Sequence, residues 1–355
     1  MISHTRPQVA EVTPEPPDDW DTRAVDVPGG HALQSTAWAE YRRTRGVVPA
    51  YASLDDGSVA LVSQRRSSML PGSEAVIRRG PAHRGETAAV GAARVDALAR
   101  WALESGAREL FLDPERDADP AWETAMSAAS FEIADELEPS IHVMRLRLDD
   151  GVDEEGLWSG LSKSARQRIR SARTSGTKVA FDASGELLSP FVELLRERAD
   201  VLGIALAADD GFIAGWRSIL AHDHARFLAA THEDELVGGL FIYRHGGIHA
   251  TAFSADAASR RRELPGSMHL LRWQAIVDAL ADGAAYIDLG GVDLPGRRMP
   301  PEKGDPARGL YEHKRSFGAE WVDRTPARRR ILRPWATRLG RLRRGAIDAT
   351  RRMRR

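Results

Sequence analysis

With 355 residues, 42% of them hydrophobic and 28% charged, and a formal net charge of −1, the chain can bury a core large enough for two domains. The absence of cysteine excludes disulfides, thiolate catalysis and cysteine-liganded metals. No apolar run approaches the roughly 18–20 residues of a membrane span and no signal-peptide apolar region is present, so we expect a cytoplasmic protein.

Charge is distributed unevenly along the chain. Residues 324–355 contain thirteen arginines and one acid, a charge of +12 that leaves −13 for the remainder within the total of −1. From residue 334 onward, apolar residues recur every three or four positions, which predicts a basic amphipathic helix. Three interpretations are open: binding to an anionic membrane surface, docking of tRNA phosphates, or packing on the protein's own acidic body. Residues 1–20, rich in proline and acids, are predicted to be a flexible leader.

A short helix is predicted within residues 33–46, LQSTAWAEYRRTRG. Ser35 is a typical N-cap, and Trp38 and Arg42 follow on the helix. Arg42 can bind an anion as well as a lysine can. The alternative is an exposed charge beside a buried tryptophan.

A helix–strand unit occurs twice. Residues 75–85, AVIRRGPAHRG, are predicted to form a strand and a loop, and Arg79 of that loop is a candidate for substrate binding. A helix then leads to a strand that closes on Asp113. A second helix and strand close on Asp288, 175 residues further on. This period of about half the chain predicts two copies of one α/β domain.

The domain boundary is predicted near residue 150, because residues 142–150 alternate as a strand and precede an acidic loop. The predicted domains are therefore 21–150 and 151–323. Residues 163–175 are predicted to form a helix that carries five cations and no acid. Such a face either binds RNA or precursor phosphate or is simply solvated. The candidates for phosphate binding on this helix are Lys163, Arg166 and Arg170.

Three antiparallel strands are predicted over residues 225–253, followed by a helix that begins at residues 265–267. This order of elements resembles an acetyltransferase core. The Q/R-x-x-G-x-G/A loop that binds pyrophosphate is missing before the helix, so acetyl-CoA is the weaker donor hypothesis. Nearby, His222 and His224 are interpreted as a surface cluster, and no metal site is predicted.

Residues 309–320, GLYEHKRSFGAE, set Lys314 in a short frame of aromatic residues and glycine after a loop. The compact ammonium of a lysine can approach a single oxygen that becomes negative during a reaction. A planar guanidinium suits a bidentate anion better. The alternative is a solvated lysine at a helix end.

Four stretches occur in the same order as in one known family. They are residues 33–46, residues 163–179, residues 284–293 (AAYIDLGGVD) and residues 309–320. Together they resemble the FemABX peptidyltransferases, which use aminoacyl-tRNA to add amino acids to the peptide stem of peptidoglycan precursors. The resemblance implies an α/β (α+β) fold of two tandem acetyltransferase-like (GNAT) domains with mixed sheets, here with an added basic C-terminal helix.

The resemblance also implies roles for single residues. It places Arg42 near the phosphates of the precursor, beside Trp38, and assigns Lys314 to stabilisation of the oxyanion of the tetrahedral intermediate. Tyr311 and Phe317 would line the site, although packing is the commonest role of aromatic residues.

Two departures from the family pattern concern the general base. His313 stands where family members usually carry an aromatic residue, and it can stack on a nucleobase or accept a proton. Asp288 is the other base candidate, with binding of backbone amides as its alternative. The acid that follows the Gly-Pro pair in the family is missing here unless Glu86 replaces it.

The co-substrate implied by the resemblance is aminoacyl-tRNA, with no resident cofactor. The acceptor is either lipid II or UDP-MurNAc-pentapeptide, and residues 334–355 would make a peripheral contact with the anionic inner membrane. Two other functions remain open: an acyl-CoA-dependent N-acyltransferase, and a non-catalytic RNA- or membrane-binding protein.

Overall fold

The computed structural model of the chain describes residues 6–66, 70–82, 85–137, 142–148, 151–202, 209–292 and 298–336. The chain divides into two compact units. The first unit consists of Met1–Glu138 with Thr325–Arg355, and the second of Pro139–Arg324. Each unit is built on one mixed sheet, which confirms the predicted pair of α/β domains.

The first sheet has seven described strands in the order β1-β2-β3-β4-β5-β14-β6. Strands β4 and β5 are parallel, and every other neighbouring pair is antiparallel. The strands are β1 Val9–Thr13, β2 Val48–Leu54, β3 Val59–Arg66, β4 Ser73–Arg78, β5 Ala107–Asp113, β6 Glu132–Ile133 and β14 Arg328–Ile331. The helices of this unit are α1 Trp20–Ala24, α2 Thr36–Thr44, α3 Ala88–Glu104 and α4 Pro120–Ala128.

The second sheet also has seven described strands, in the order β13-β7-β12-β11-β10-β9-β8. Here β11 and β12 form the parallel pair. The strands are β7 His142–Arg147, β8 Lys178–Phe181, β9 Ala225–His232, β10 Glu235–His245, β11 Ile248–Asp256, β12 Tyr286–Asp288 and β13 Glu320–Asp323. The helices are α5 Glu154–Gly160, α6 Lys163–Thr174, α7 Leu188–Leu202, α8 Asp210–Ala221, α9 Ser267–Ala281 and α10 Arg308–Arg315.

The two sheets repeat one arrangement. Parallel strands need a crossover connection, and α3 supplies it between β4 and β5 as α9 does between β11 and β12. After each parallel pair comes one further helix, α4 or α10, and then an edge strand, β6 or β13. The core forms where the crossover helix packs on its sheet, with Val95 and Leu98 in the first unit and Leu271 and Ile276 in the second.

The limits of the two units differ from the predicted boundaries at both ends of the first domain. Residues 9–13 form β1, which pairs with β2, so they belong to the sheet and not to a flexible leader. Backbone hydrogen bonds to β2 stabilise this segment. A prediction from composition alone takes no account of such pairing. The strand β7 pairs with β12 and β13, so the second unit begins before residue 150.

The predicted basic tail, residues 324–355, starts inside the fold. Strand β14 lies between β5 and β6, and its arginines pair with acids of the first unit. Arg328 pairs with Glu123, Arg329 with Glu132 and Arg330 with Asp96. Residues 337–355, which hold most of the apolar stripe, lie outside the described residues. None of the helices in the described ranges is long and apolar enough to cross a membrane.

Candidate active site

Lys314 is buried in α10, with 3% of its surface exposed. Its Nζ donates a hydrogen bond to the carbonyl oxygen of Gly291, at 2.6 Å, in the loop that follows β12. Gly290 has φ +83°, and a Cβ there would lie 3.3 Å from Lys314 Nζ. Glycine at this position therefore permits both the turn and the close approach of the ammonium.

Asp288 ends β12 and supports that same loop. Its Oδ1 accepts a hydrogen bond from the backbone N–H of Gly290 at 2.7 Å, and its Oδ2 accepts one from Arg324 at 2.9 Å. Both Asp288 and Arg324 are buried, so each charge has its partner where water has little access. This geometry matches the alternative in which Asp288 binds a backbone amide, and it argues against Asp288 as a general base. Arg324, placed in the tail from the sequence, is a buried part of the second unit.

His313 belongs to a hydrogen-bonded chain. The Nε–H of the buried Arg272 donates to His313 Nε2 at 2.9 Å, and Arg272 Nη1 donates to the carbonyl oxygen of Leu289 at 3.1 Å. The Nδ1 of His313 lies 3.2 Å from Nε2 of His269. Burial, followed by the charge of Arg272, lowers the pKa of His313 to about 2. An imidazole that accepts from an arginine and has so low a pKa is a poor general base at neutral pH.

The aromatic residues of the 309–320 stretch pack in or against the core of the second unit. Phe317 is buried, and its ring centroid lies 5.5 Å from that of His313 and 5.8 Å from that of His269. Tyr311 packs against the core of the second unit near Trp321, with Arg308 over its ring. Phe317 therefore contributes to the environment of the histidines, whereas Tyr311 packs against the core beside Trp321.

A cavity of about 410 Å³ opens at the start of α9. Gly266, immediately before this helix, has φ +93°, and a Cβ on it would lie 2.2 Å from the carbonyl oxygen of Arg168 in α6. Only glycine lets α6 come this close to the start of α9. The polar and charged residues that line the cavity include Arg168, Arg198, Asp256, Arg260, Arg261, His269, Arg272 and His313.

Cations outnumber anions around this cavity. Arg260 pairs with Glu235 and Glu263, and Arg261 pairs with Asp256. By contrast, the side chains of Arg168 and Arg198 make no hydrogen bond or ion pair with any residue in the described ranges. The hydrogen-bond partners of Arg272 are a neutral carbonyl and a neutral imidazole. A cavity with this surplus of positive charge is suited to an anionic ligand.

The basic helix predicted at residues 163–175 is α6, and it packs on α9 through Ala165 and Ile169. Lys163 and Arg170 are exposed, as a phosphate-binding role requires. Arg166 is engaged differently, because its Nη1 donates to the carbonyl oxygens of Ser159 and Leu161 at 2.8 and 2.7 Å. Those bonds satisfy carbonyls at the end of α5, so Arg166 supports the fold.

The remaining predicted substrate residues lie in the first unit. Ser35 caps α2 by accepting from the backbone N–H of Trp38 at 3.1 Å, as the sequence predicted. The guanidinium of Arg42 lies over the Trp38 ring, 5.8 Å from its centroid. The stacking explains how α2 presents a cation beside an aromatic surface.

Arg79 is buried with φ +50°, directly after β4. Its backbone N–H donates to Asp113 Oδ1 at 2.8 Å, and its guanidinium lies 3.8 Å from the carboxylates of both Asp113 and Glu115. The side chain predicted to bind substrate is therefore surrounded by acids of its own unit.

Glu86, the residue considered as a replacement for the family's acid, forms an ion pair with Arg94 at 3.0 Å and lies 4.0 Å from Arg116. Arg94 also contacts Asp56 at 2.6 Å. These pairs make Glu86 part of a charge network and argue against a role as a base.

The structure thus gathers Lys314, His313, Asp288 and Phe317 in the second unit. Sequence reasoning missed four residues of the second unit: Arg198, His269, Arg272 and Arg324. They lie outside the quoted motifs, and their residue type is the only signal that the sequence offers. Arg272 could have been suspected, since it falls among apolar residues of the crossover helix that are otherwise buried. Among the described residues, no group of three or more histidines and acids is arranged to hold a metal ion.

The fold and this site define a class of protein. Residues 159–315 match the family model described as acetyltransferase (GNAT) domain, so the second unit carries a GNAT-type domain. Against solved structures, the chain is similar to one described as FemX, with a TM-score of 0.75 and 17% identity over 91% of this chain and 98% of that chain. The chain has the FemX fold, as the motif resemblance predicted.

Two other solved structures share the fold less closely. The C-terminal domain of a putative lysylphosphatidylglycerol synthetase from Agrobacterium fabrum gives a TM-score of 0.51 at 14% identity, over 90% of this chain and 92% of that chain. A tandem GNAT protein from the clavulanic acid biosynthesis pathway gives 0.50 at 14% identity, over 91% and 99%. A search of curated proteins found no match.

Proposed function

We propose that the protein is an aminoacyltransferase that moves an amino acid from aminoacyl-tRNA to the stem-peptide amine of a peptidoglycan precursor. The observation that carries the proposal is the cavity at the start of α9, whose cations exceed its anions and whose wall includes His313, the neighbour of Lys314. An anionic donor end would bind there with its ester near α10. The FemX fold and the four motifs support the same reaction.

Lys314 has the central role in the proposed mechanism. Attack of the neutral acceptor amine on the ester carbonyl forms the C–N bond and places a negative charge on the carbonyl oxygen, and the Lys314 ammonium stabilises it. Collapse of this intermediate breaks the ester C–O bond, and the released 3′ oxygen of the tRNA takes up the proton that the amine loses. The bond to Gly291 uses one of the three N–H groups of the ammonium and fixes its direction. Asp288 and Arg272 hold the loop that carries this carbonyl, so we assign them to positioning and not to proton transfer.

The precursor is proposed to contact the first unit. Arg42, stacked on Trp38, would bind a phosphate of lipid II or of UDP-MurNAc-pentapeptide. Arg79 would contribute less, because Asp113 and Glu115 already surround its charge. Lys163 and Arg170, exposed on α6, would contact phosphates of the tRNA, and contact of residues 334–355 with an anionic membrane stays a prediction.

A second candidate is an acyl-CoA-dependent N-acyltransferase. The GNAT match over residues 159–315 favours it, and the arginines of the cavity would suit the phosphates of a coenzyme A. The absence of the Q/R-x-x-G-x-G/A loop from the sequence before α9 weighs against it.

The deciding experiment supplies the purified protein with a peptidoglycan precursor and one of two donors, charged tRNA or acetyl-CoA, and follows the mass of the precursor. Both lipid II and UDP-MurNAc-pentapeptide are used as acceptors. We expect a product heavier by one amino-acid residue, formed only with charged tRNA. Addition of an acetyl group would establish the second candidate. No product with either donor, while tRNA still binds, would indicate a non-catalytic RNA-binding protein.

A further inference from the structure

The chain from Arg272 through His313 to His269 has a fixed direction. Arginine has only N–H donors, so the nitrogen of His313 that faces Arg272 must be an acceptor. Because one nitrogen of a neutral imidazole is a donor and the other an acceptor, His313 then carries its proton on Nδ1. That proton points at Nε2 of His269, which must accept it.

The same logic fixes His269. With Nε2 accepting from His313, the neutral ring of His269 carries its proton on Nδ1. Within the described ranges, this Nδ1 makes no hydrogen bond, and His269 lines the cavity at the start of α9. The rings of His269 and His313 meet edge to face at 4.2 Å, with Phe317 beside both, so neither ring can turn freely.

The electrostatic surroundings keep both rings neutral. Burial, then Arg168 and Arg272, lower the pKa of His269 to about 4. The charged side chains that lower the pKa of one or both rings are Arg168 of α6, Arg272 of α9 and Lys314 of α10. The other charged residues of the cavity wall are Arg198 of α7, Asp256 at the end of β11, and Arg260 and Arg261 in the segment before α9.

We propose that His269 binds an oxygen of a nucleotide phosphate through Nδ1–H, and that Arg272 and His313 are positioning residues that hold it in this tautomer. The Nδ1–H of His269 is a neutral donor with a fixed direction, so it can select one oxygen of the phosphate. The arginines of the cavity supply positive charge without that selection. The identity of the ligand rests on the proposed function, since tRNA and coenzyme A both carry such a phosphate. The tautomer does not depend on it.

The tautomer is tested without any ligand. Histidine-selective ¹⁵N labelling of the full chain and long-range ¹H–¹⁵N correlation spectra between pH 5.5 and 8.5 report which nitrogen carries each proton. We expect Nδ1–H for both His269 and His313, with no titration in this range. In His313→Phe, which keeps a ring and removes the donor, His269 should gain the Nε2–H form, still without titration in this range because burial, Arg168 and Arg272 remain. His222→Phe, at an exposed histidine outside the cavity, is the matched control and should leave the His269 signals in place.

A wild-type His269 protonated on Nε2, or one unaffected by His313→Phe, would overturn the positioning chain. The ligand is tested with two probes, uncharged tRNA and coenzyme A. His269→Leu should weaken binding of the cognate probe by about tenfold or more, because a hydrogen bond to a charged acceptor is lost. His269→Asn, whose amide can donate near the Nδ1 position, should recover most of that loss.

Transfer kinetics separate binding from folding damage. His269→Leu should raise the KM for the donor and leave kcat largely unchanged, since a phosphate remote from the reacting carbonyl provides uniform binding. If His269→Asn and His269→Leu bound the probe equally weakly, or if His269→Leu lowered only kcat, the role of Nδ1–H would be overturned. A wild-type protein that binds neither probe would reject the nucleotide ligand and the proposed function together, whereas the spectra judge the tautomer independently.

Discussion

The crossover helices of the two units each bury an arginine, and the partners of the two arginines differ. In α3 of the first unit, Arg94 meets the carboxylates of Asp56 and Glu86. In α9 of the second unit, Arg272 meets a carbonyl and an imidazole, both neutral. In the first arrangement the charge of Arg94 is compensated by carboxylates, so its role is to stabilise the fold. The second leaves a positive charge beside a cavity, so the same topology buries a charge-balanced arginine in one copy and an arginine bonded to neutral groups in the other.

The same contrast separates the helices that follow each parallel pair. The α4 helix buries Trp122 and Met126, whereas α10 buries Lys314. Glu123 of α4 is matched by Arg328, so this part of the first unit is again balanced. Only in α10 does the buried position carry an ammonium held by a backbone carbonyl.

The largest effect is expected from truncation after Asp323. The first unit needs β14 between β5 and β6, and it would also lose the arginine partners of Glu123 and Glu132 and one of the three arginines that pair with Asp96. We expect loss of its cooperative unfolding transition in thermal denaturation. Truncation after Ala336 retains β14 and is the matched control. Because it removes residues 337–355 alone, it also tests whether those residues bind vesicles or tRNA. A cooperative first unit in the shorter protein would contradict the role of β14.

Arg94→Met tests the balanced cluster directly. It leaves two carboxylates without their buried partner and should lower the free energy of unfolding by about 3–5 kcal/mol. Arg168→Met, which removes a cation with no acid partner among the described residues, should change it by no more than about 0.5 kcal/mol. Urea denaturation of both variants gives the comparison. Equal losses would mean that the two regions do not differ as described.

Lys314→Ala should reduce aminoacyl transfer by about a hundred- to a thousandfold, which corresponds to the loss of one oxyanion donor. Lys314→Arg should recover little, because a planar fork does not replace a compact charge. Initial rates of transfer and circular dichroism spectra are to be measured together, with Lys178→Ala on edge strand β8 as the control. Wild-type turnover in a folded Lys314→Ala protein would remove Lys314 from the mechanism.

The double variant Arg168→Met, Arg198→Met should weaken tRNA binding and reduce its salt dependence. Each lost phosphate contact lowers the slope of log K against log salt concentration by about 0.7–0.9. Affinity measured over a series of salt concentrations yields this slope. The control is Arg196→Met, because Arg196 lies on α7 like Arg198 but is paired with Glu193. An unchanged slope would place the tRNA phosphates elsewhere.

The smallest effect concerns stability at mildly acidic pH. His249, His269 and His313 have pKa values lowered by burial to about 4, 4 and 2, below the value of about 6.5 for a free imidazole. Below pH ~6.5 the unfolded chain therefore binds protons that the folded chain does not, so stability falls as the pH falls.

His313→Phe removes one of these groups. Between pH 7.5 and pH 5 it should lose less stability than the wild type, by up to about 2 kcal/mol. Urea denaturation at both pH values measures the difference. An identical pH dependence in the two proteins would show that His313 is not held neutral by the fold.

Much of the architecture could be predicted from the sequence because it depends on local signals. Ser35 caps its helix as expected, and the repeat of a helix and a strand closing on Asp113 and Asp288 predicted two copies of one α/β domain. What the sequence could not give was pairing between distant segments. Residues 9–13 and 328–331 look like charged or proline-rich termini, and they become strands only because a sheet edge or gap accepts them.

The candidate site shows the same limit. Lys314 stood out by its type and its frame of aromatic residues, and the structure buries it next to a glycine-rich turn. The roles of Arg166 and Glu86 depended on neighbours that no local pattern reveals: carbonyls at the end of α5 for the one, and Arg94 for the other. Arg272 and His269 acquire significance only through contacts with α10.

The position of β14 has a consequence for the order in which the chain can fold as it is made. The ribosome releases the whole of the second unit, Pro139–Arg324, before it releases Arg328–Ile331. Until then the first sheet has a vacant place between β5 and β6. Domains generally fold in the order of their synthesis. Here the unit encoded later is the one that can complete its sheet first, and the earlier unit must wait for a strand that is made after the whole of the later one.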